Sequence, residues 1–139
     1  MQNKKKRNNT QRDVSKQNTG SQDAGKKLRG TVFALEREGT RLWVMPGPKL
    51  SHVEVPDLQS ALKQEIASGA REILFDLGAT KILDSRGIGL LIAARNSLAA
   101  VQGGIRLVNA NVHVYEQLQY LRLVDLLHVS TDEGEARHG

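Results

Sequence analysis

Six consecutive residues, Asp84-Ser85-Arg86-Gly87-Ile88-Gly89, carry the strongest chemical signal in the chain. They close a short apolar run and open a helical pattern. The first-turn amides of a helix lack intrahelical partners, and a short polar side chain placed before them accepts their hydrogen bonds. Either Asp84 or Ser85 can serve as that cap. The same amides and the positive end of the helix dipole favour an anion, so a phosphate on Ser85 would rest there. Gly87 and Gly89 each lower helix propensity by about 1 kcal/mol relative to Ala, a cost that points to close approach by another backbone.

Other combinations carry less chemistry. Glu36, Glu38 and Glu54 fall on a hairpin and a loop with no evident cleft, so they read as surface charge and not as an acid/base pair. Ser85 with His113 or His128 would resemble a nucleophile and base, but Leu83 stands where a nucleophile elbow needs glycine. No catalytic residue is assigned, and the protein is expected not to be an enzyme. There is no cysteine, and His52, His113, His128 and His138 lack the spacing of a metal motif, so no metal or cofactor is expected.

The elements that must position this segment are those of an α/β domain. Residues 31–37 and 41–45 are β-branched or aromatic runs around Glu38-Gly39-Thr40, which predicts a hairpin. Phe33 and Trp43 read as core or sheet-face residues, and five aromatics in the whole chain are too few for a base-stacking platform. Ser51 with Glu54 imitates a capping box, but that start would put Pro56 inside the helix. The helix carrying Leu58, Leu62 and Ile66 is therefore expected to begin at Pro56.

Residues 72–77 contain Ile73, Leu74 and Phe75 in succession, as a central strand covered on both faces would. A helix over about 86–102 follows, apolar nearly all round. One of its faces must meet the sheet, and the other is either covered by a neighbouring helix or offered to a partner. Gly103-Gly104 stops it, residues 105–108 form a strand, Asn111 caps a helix to about Tyr120, and residues 123–129 turn or re-enter the sheet.

The formal charge of +5 is unevenly spread: residues 1–30 carry nine Lys/Arg against Asp13 and Asp23, while residues 31–139 are net −2. The first 30 residues bury too little apolar surface to offset the entropy of ordering, so a disordered basic tail is expected ahead of one domain over 31–139. It reads as a solvated extension, with nucleic-acid contact as the alternative. No apolar stretch approaches the roughly 18–20 residues of a membrane span, and Lys4, Lys5, Lys6 and Arg7 are not followed by an apolar signal core. A cytoplasmic protein without membrane insertion is the resulting expectation.

The strand Ile73-Leu74-Phe75-Asp76-Leu77, a loop of about five residues, and then Ile82-Leu83-Asp84-Ser85-Arg86-Gly87-Ile88-Gly89-Leu90-Leu91 resemble the STAS domains, and within them the small bacterial anti-sigma factor antagonists. Gly103-Gly104 and the closing helical stretches extend the resemblance over roughly residues 31–135. It implies a mixed sheet of four to five strands with about four helices. It also implies that Ser85 is phosphorylated by a kinase that is itself an anti-sigma factor. The unphosphorylated antagonist binds that kinase, phosphorylation breaks the complex, and a PP2C-type phosphatase restores it.

A phosphate on Ser85 beside Asp84 would bring charge repulsion and a desolvation cost in a partner contact. Asp76 matches an acidic strand-end position of the family and would add to that repulsion. Asp84 would orient the turn, Gly87 and Gly89 would allow close approach, and Ile88 and Leu91 would supply apolar contact. Ser51 ends the loop that lies near the phosphorylated serine in the family. That loop reads Gly47-Pro48-Lys49-Leu50-Ser51 here, where the family usually has glycine, acid, leucine, aspartate. Arg86 replaces a small residue and could pair with a phosphate or meet an acidic patch on a partner. Arg122 stands where a glycine is common. These departures motivate an alternative, a non-switching STAS scaffold or adaptor subunit of a stress-sensing assembly or a lipid-transport ATPase.

Overall fold

A computed structural model of the protein describes residues 33–131. The tail expected over 1–30 lies outside the described residues. The hairpin forms as the sequence predicts: β1 (Ala34–Glu38) pairs antiparallel with β2 (Arg41–Met45), and Gly39 takes a φ of 63° at the turn. Glycine reaches that left-handed region without a Cβ penalty. The chain continues through β3 (Lys49–Leu50), α1 (Val55–Ala67), β4 (Glu72–Asp76), β5 (Ile82–Leu83) and α2 (Ser85–Ala99). β6 (Gly104–Ala110), α3 (Val112–Tyr120), α4 (Val124–Leu127) and β7 (Val129–Thr131) complete it.

The main sheet has the order β1-β2-β4-β6-β7, with all pairs after the hairpin parallel. β3 and β5 form a separate two-stranded parallel ladder. Each parallel step crosses the sheet in the same direction, and right-handed crossovers then put the connecting helices on one face. Strand alternation completes the core: Leu42, Val44, Ile73, Phe75, Ile105 and Leu107 meet Leu58, Leu62, Leu91, Leu98, Leu118 and Leu127 of the helices. Phe33 joins this core. Trp43, Leu74, Arg106 and Val108 line a shallow hollow on the opposite face. β4 is the central strand, and Leu74 is buried on that second face.

The start of α1 and the end of α2 differ from the sequence expectation. α1 starts at Val55, so Pro56 does lie inside it. The proline is tolerated because the first four amides of a helix have no intrahelical acceptor, and its missing N–H breaks nothing. The Ser51–Glu54 pair is therefore real: Glu54 Oε1 accepts from the Ser51 amide at 3.0 Å and from Ser51 Oγ at 2.6 Å. α2 runs from Ser85 to Ala99, shorter than expected at its end, because Gly103 N–H turns back to the Leu98 carbonyl at 2.6 Å. Residues 123–129 do both things the sequence allowed, forming α4 and entering β7. Arg122 adopts φ 61°, the conformation that makes glycine common there.

Candidate functional site

Two loops, those that follow β2 and β4, are locked together. Lys49 and Leu50 pair with Ile82 and Leu83, and the Pro48 carbonyl accepts from the amides of Lys81 (2.8 Å) and Ile82 (3.2 Å). Thr80, fully buried, donates its hydroxyl to the Gly47 carbonyl at 2.7 Å. From the far side, Asn111 Nδ2 donates to the Thr80 carbonyl and Gln117 Nε2 to the Leu83 carbonyl, at 3.0 and 2.7 Å. The strand that delivers Asp84 and Ser85 to the surface is thus held by α3 as well as by β3.

Asp84 decides which residue caps α2. Its Oδ1 accepts from the Gly87 amide at 2.9 Å, the reach of an N-cap side chain to the third helical residue. Its Oδ2 accepts from the His52 amide at 3.0 Å, with the His52 ring 3.5 Å away. Asp84 therefore fastens the turn after β3 to the start of α2. Ser85, at the first helical position, is exposed, and its hydroxyl makes no hydrogen bond among the described residues. A serine whose hydroxyl is not needed for capping is available for modification.

The Gly87 amide, then the His52 contacts working against burial, hold the Asp84 carboxyl below its ordinary 3.8. A depressed acid stabilises the fold fully above its unfolded value and loses that contribution as pH falls through the folded value. Asp84→Asn keeps an oxygen for the Gly87 amide but cannot titrate. Thermal melts from pH 7 to 3 are expected to show a shallower acid loss for Asp84→Asn than for the parent. Equal slopes would rule Asp84 out as the source. Burial of Glu54 opposes its ionisation, yet hydrogen bonds from Ser51 outweigh it and lower that carboxyl also.

The other expected site residues divide. Arg86 is exposed beside Ser85. Gly87 is buried, and a Cβ there would sit 2.2 Å from the Leu50 carbonyl oxygen, so its close approach is to this chain's own β3. Gly89 is exposed with nothing within 4 Å of where its Cβ would be; no backbone of the described chain approaches it. Ile88 and Leu91 do not offer an apolar surface, because both are buried in the core. The second face of α2 is covered partly by α1, and its outward stripe of Arg86, Gly89 and Ala93 is polar or small.

Ser51 is buried and bonded to Glu54. Asp76 is turned to the face of Trp43, accepting from the Gly78 amide at 2.9 Å and Asn109 Nδ2 at 3.1 Å. Strand alternation explains this: Phe75 takes the helix side, so Asp76 takes the other and adds no direct repulsion at Ser85. Of the described histidines, His52 contacts Asp84 and the His128 ring contacts the Ile105 carbonyl; none bonds Ser85.

The sequence reading missed His52, Val53 and Ile82. The two apolar residues are exposed at 54% and 49%, on the two loops that meet at Asp84. A signal existed for Ile82, which precedes the motif in a strand too short to bury both faces. His52, with Val53 next to it in the chain, reaches Asp84 only through the β3–β5 ladder.

A one-faced mixed sheet that holds an uncommitted serine at the start of its second helix defines a class: an α/β domain built to present a helix N-terminus at its surface. The chain belongs to the STAS domain family, whose model matches residues 34–136. Its fold is similar to that of the anti-sigma factor antagonist SpoIIAA in its unphosphorylated form, at 24% identity and TM-score 0.58 over 64% of this chain and 83% of that one. The Bacillus cell fate determinant SpoIIAA in the phosphorylated form aligns at 23% identity and TM-score 0.62, over 77% and 98% of the two chains. An anti-sigma factor antagonist from Mycobacterium paratuberculosis aligns at 19% identity and TM-score 0.66, over 77% and 91%. No curated protein matches the chain. Among the described residues, no helix is long and apolar enough to cross a membrane.

Proposed function

We propose that the protein is an anti-sigma factor antagonist that works by partner switching. Unphosphorylated, it binds an anti-sigma factor with serine kinase activity. Phosphorylation of Ser85 releases it, and a PP2C-type phosphatase restores binding. In this reading the protein is a substrate and not an enzyme, and it acts in the cytoplasm, where transcription is regulated. The observation that carries the reading is the Ser85 hydroxyl, exposed and without a hydrogen bond among the described residues at the first turn of α2, while Asp84 does the capping. A phosphate there adds about −1.5 to −2 charges to a surface that a partner would have to desolvate.

Incubated with ATP and the anti-sigma factor kinases of its source, the protein is expected to gain one phosphate, mapped to Ser85 by mass spectrometry. Ser85→Ala should gain none. Failure of every such kinase to modify Ser85 removes the central claim. Arg86 supports a second reading, a non-switching STAS scaffold or adaptor, since an exposed guanidinium beside Ser85 would partly neutralise a phosphate. Under that reading the partners stay bound whatever the state of Ser85.

A further inference from the structure

The ladder that locks the two loops also gathers charge that the sequence keeps apart. Lys49 lies on β3 opposite Ile82, Lys81 immediately precedes β5, and Arg86 lies in the first turn of α2. All three are exposed; the side chains of Lys81 and Arg86 form no hydrogen bond or ion pair among the described residues, and Lys49 forms none either but acts electrostatically on Glu54. His52 adds further donor capacity, 3.5 Å from Asp84.

The carboxylates of the two loops are already engaged. Asp84 accepts from Gly87 and His52, and Glu54 from Ser51. Asp57, exposed in the first turn of α1, sits outside the two loops. What these loops offer a partner is therefore three exposed cations, Lys81 and Arg86 unpaired among the described residues and Lys49 acting electrostatically on Glu54, with two exposed apolar side chains, Val53 and Ile82.

We infer that the Ser85 edge binds an acidic protein surface, whose carboxylates pair with Lys49, Lys81 and Arg86 around an apolar contact on Val53 and Ile82. The inference rests on the partner-binding reading of Ser85 and specifies the chemistry the partner must bring. Charge complementarity argues for it, since complementary potentials set encounter rate and orientation, and unmatched cations would be left desolvated by a neutral surface. It also changes how the modification acts. A phosphate on Ser85, adjacent to Arg86, engages the cation that the partner's carboxylates would otherwise use. Release follows from substitution of one anion for another.

The test measures binding of the full chain to the kinase that modifies Ser85, for the parent and for Lys81→Glu with Arg86→Glu, across a range of salt. The parent is expected to lose roughly tenfold or more in affinity between low and physiological-to-high salt. The double variant should bind on the order of 100-fold more weakly and lose less affinity with salt than the parent, the basic residues 1–30 being the same in both. A charge-reversing Glu→Lys change on the kinase should recover part of that loss. Both residues are exposed, so the variant's melting temperature should match the parent's. Parent-like affinity in the double variant overturns the acidic-surface inference and leaves the switch intact. A kinase that neither binds nor phosphorylates the parent overturns both, and the Ser85 phosphate assay separates the two failures.

Discussion

Replacing Gly87 by alanine is expected to destabilise the domain by about 2–3 kcal/mol, a large fraction of the roughly 5–15 kcal/mol available to a protein of this size. The added Cβ would lie 2.2 Å from the Leu50 carbonyl oxygen, 2.9 Å from Leu83 Cδ1 and 3.0 Å from the Leu50 carbonyl carbon. Two of these are backbone atoms and cannot swing aside as a side-chain tip can. Relief requires β3 to move off α2, and that same Leu50 carbonyl accepts from the Asp84 amide at 3.3 Å. The clash therefore loosens the clasp that aims Ser85.

Gly89→Ala, two residues further along the same helix, provides the control. Nothing lies within 4 Å of its Cβ position, so the substitution should stabilise by up to about 1 kcal/mol through helix propensity alone. Urea unfolding of the two variants reads the contrast directly. Equal midpoints would show that the β3–α2 approach is softer than its geometry implies.

Ser85→Asp is expected to weaken binding of the anti-sigma factor kinase by on the order of 100-fold or more while leaving the domain at least as stable as the parent. Switching between mostly bound and mostly free needs only a few kcal/mol of differential affinity. The stability half of the expectation follows from α2 itself. Its first turn holds no acidic residue, and an anion there gains about 0.3–1 kcal/mol from the helix dipole, which offsets repulsion from the neighbouring Asp84 carboxylate. Loss of binding with an unchanged or raised melting temperature separates a switch from a damaged fold. Retention of the same partners by Ser85→Asp would favour the constitutive adaptor.

The two expectations lie on different links between sequence and function. Gly87 acts through packing, because its missing side chain lets β3 close on α2. The effect expected at Ser85 comes through solvent exposure, because its hydroxyl forms no hydrogen bond among the described residues. Asp84 connects them, one oxygen in the helix cap and the other in the turn at His52.

Local pattern carried much of the architecture. The β1–β2 hairpin was legible from Glu38-Gly39-Thr40 between β-forming runs, β4 from three successive apolar residues, and α3 from Asn111 ahead of a helical stretch. The Asp84-Ser85 junction was legible for the same reason: capping needs only short-range contacts, and Asn111 accepts from the Val114 amide as Asp84 accepts from that of Gly87. The start of α1 was misplaced because a proline two residues into a helix breaks no hydrogen bond, which leaves periodicity silent about the boundary.

Sequence by itself determined the α/β class, the position of the serine at a helix start, and a pair of residues able to cap that helix. Only the tertiary structure decided that Asp84 caps and that Ser85 is exposed, its hydroxyl without a hydrogen bond among the described residues. It also buried Ile88 and Leu91, turned Asp76 to the far face of the sheet, and brought the segment of Lys49 and Val53 against the segment of Lys81, Ile82 and Arg86. The physical reason is range. A cap or a turn depends on residues three or four apart, whereas burial and charge clustering depend on the β3–β5 ladder, whose paired residues are 33 positions apart in the chain.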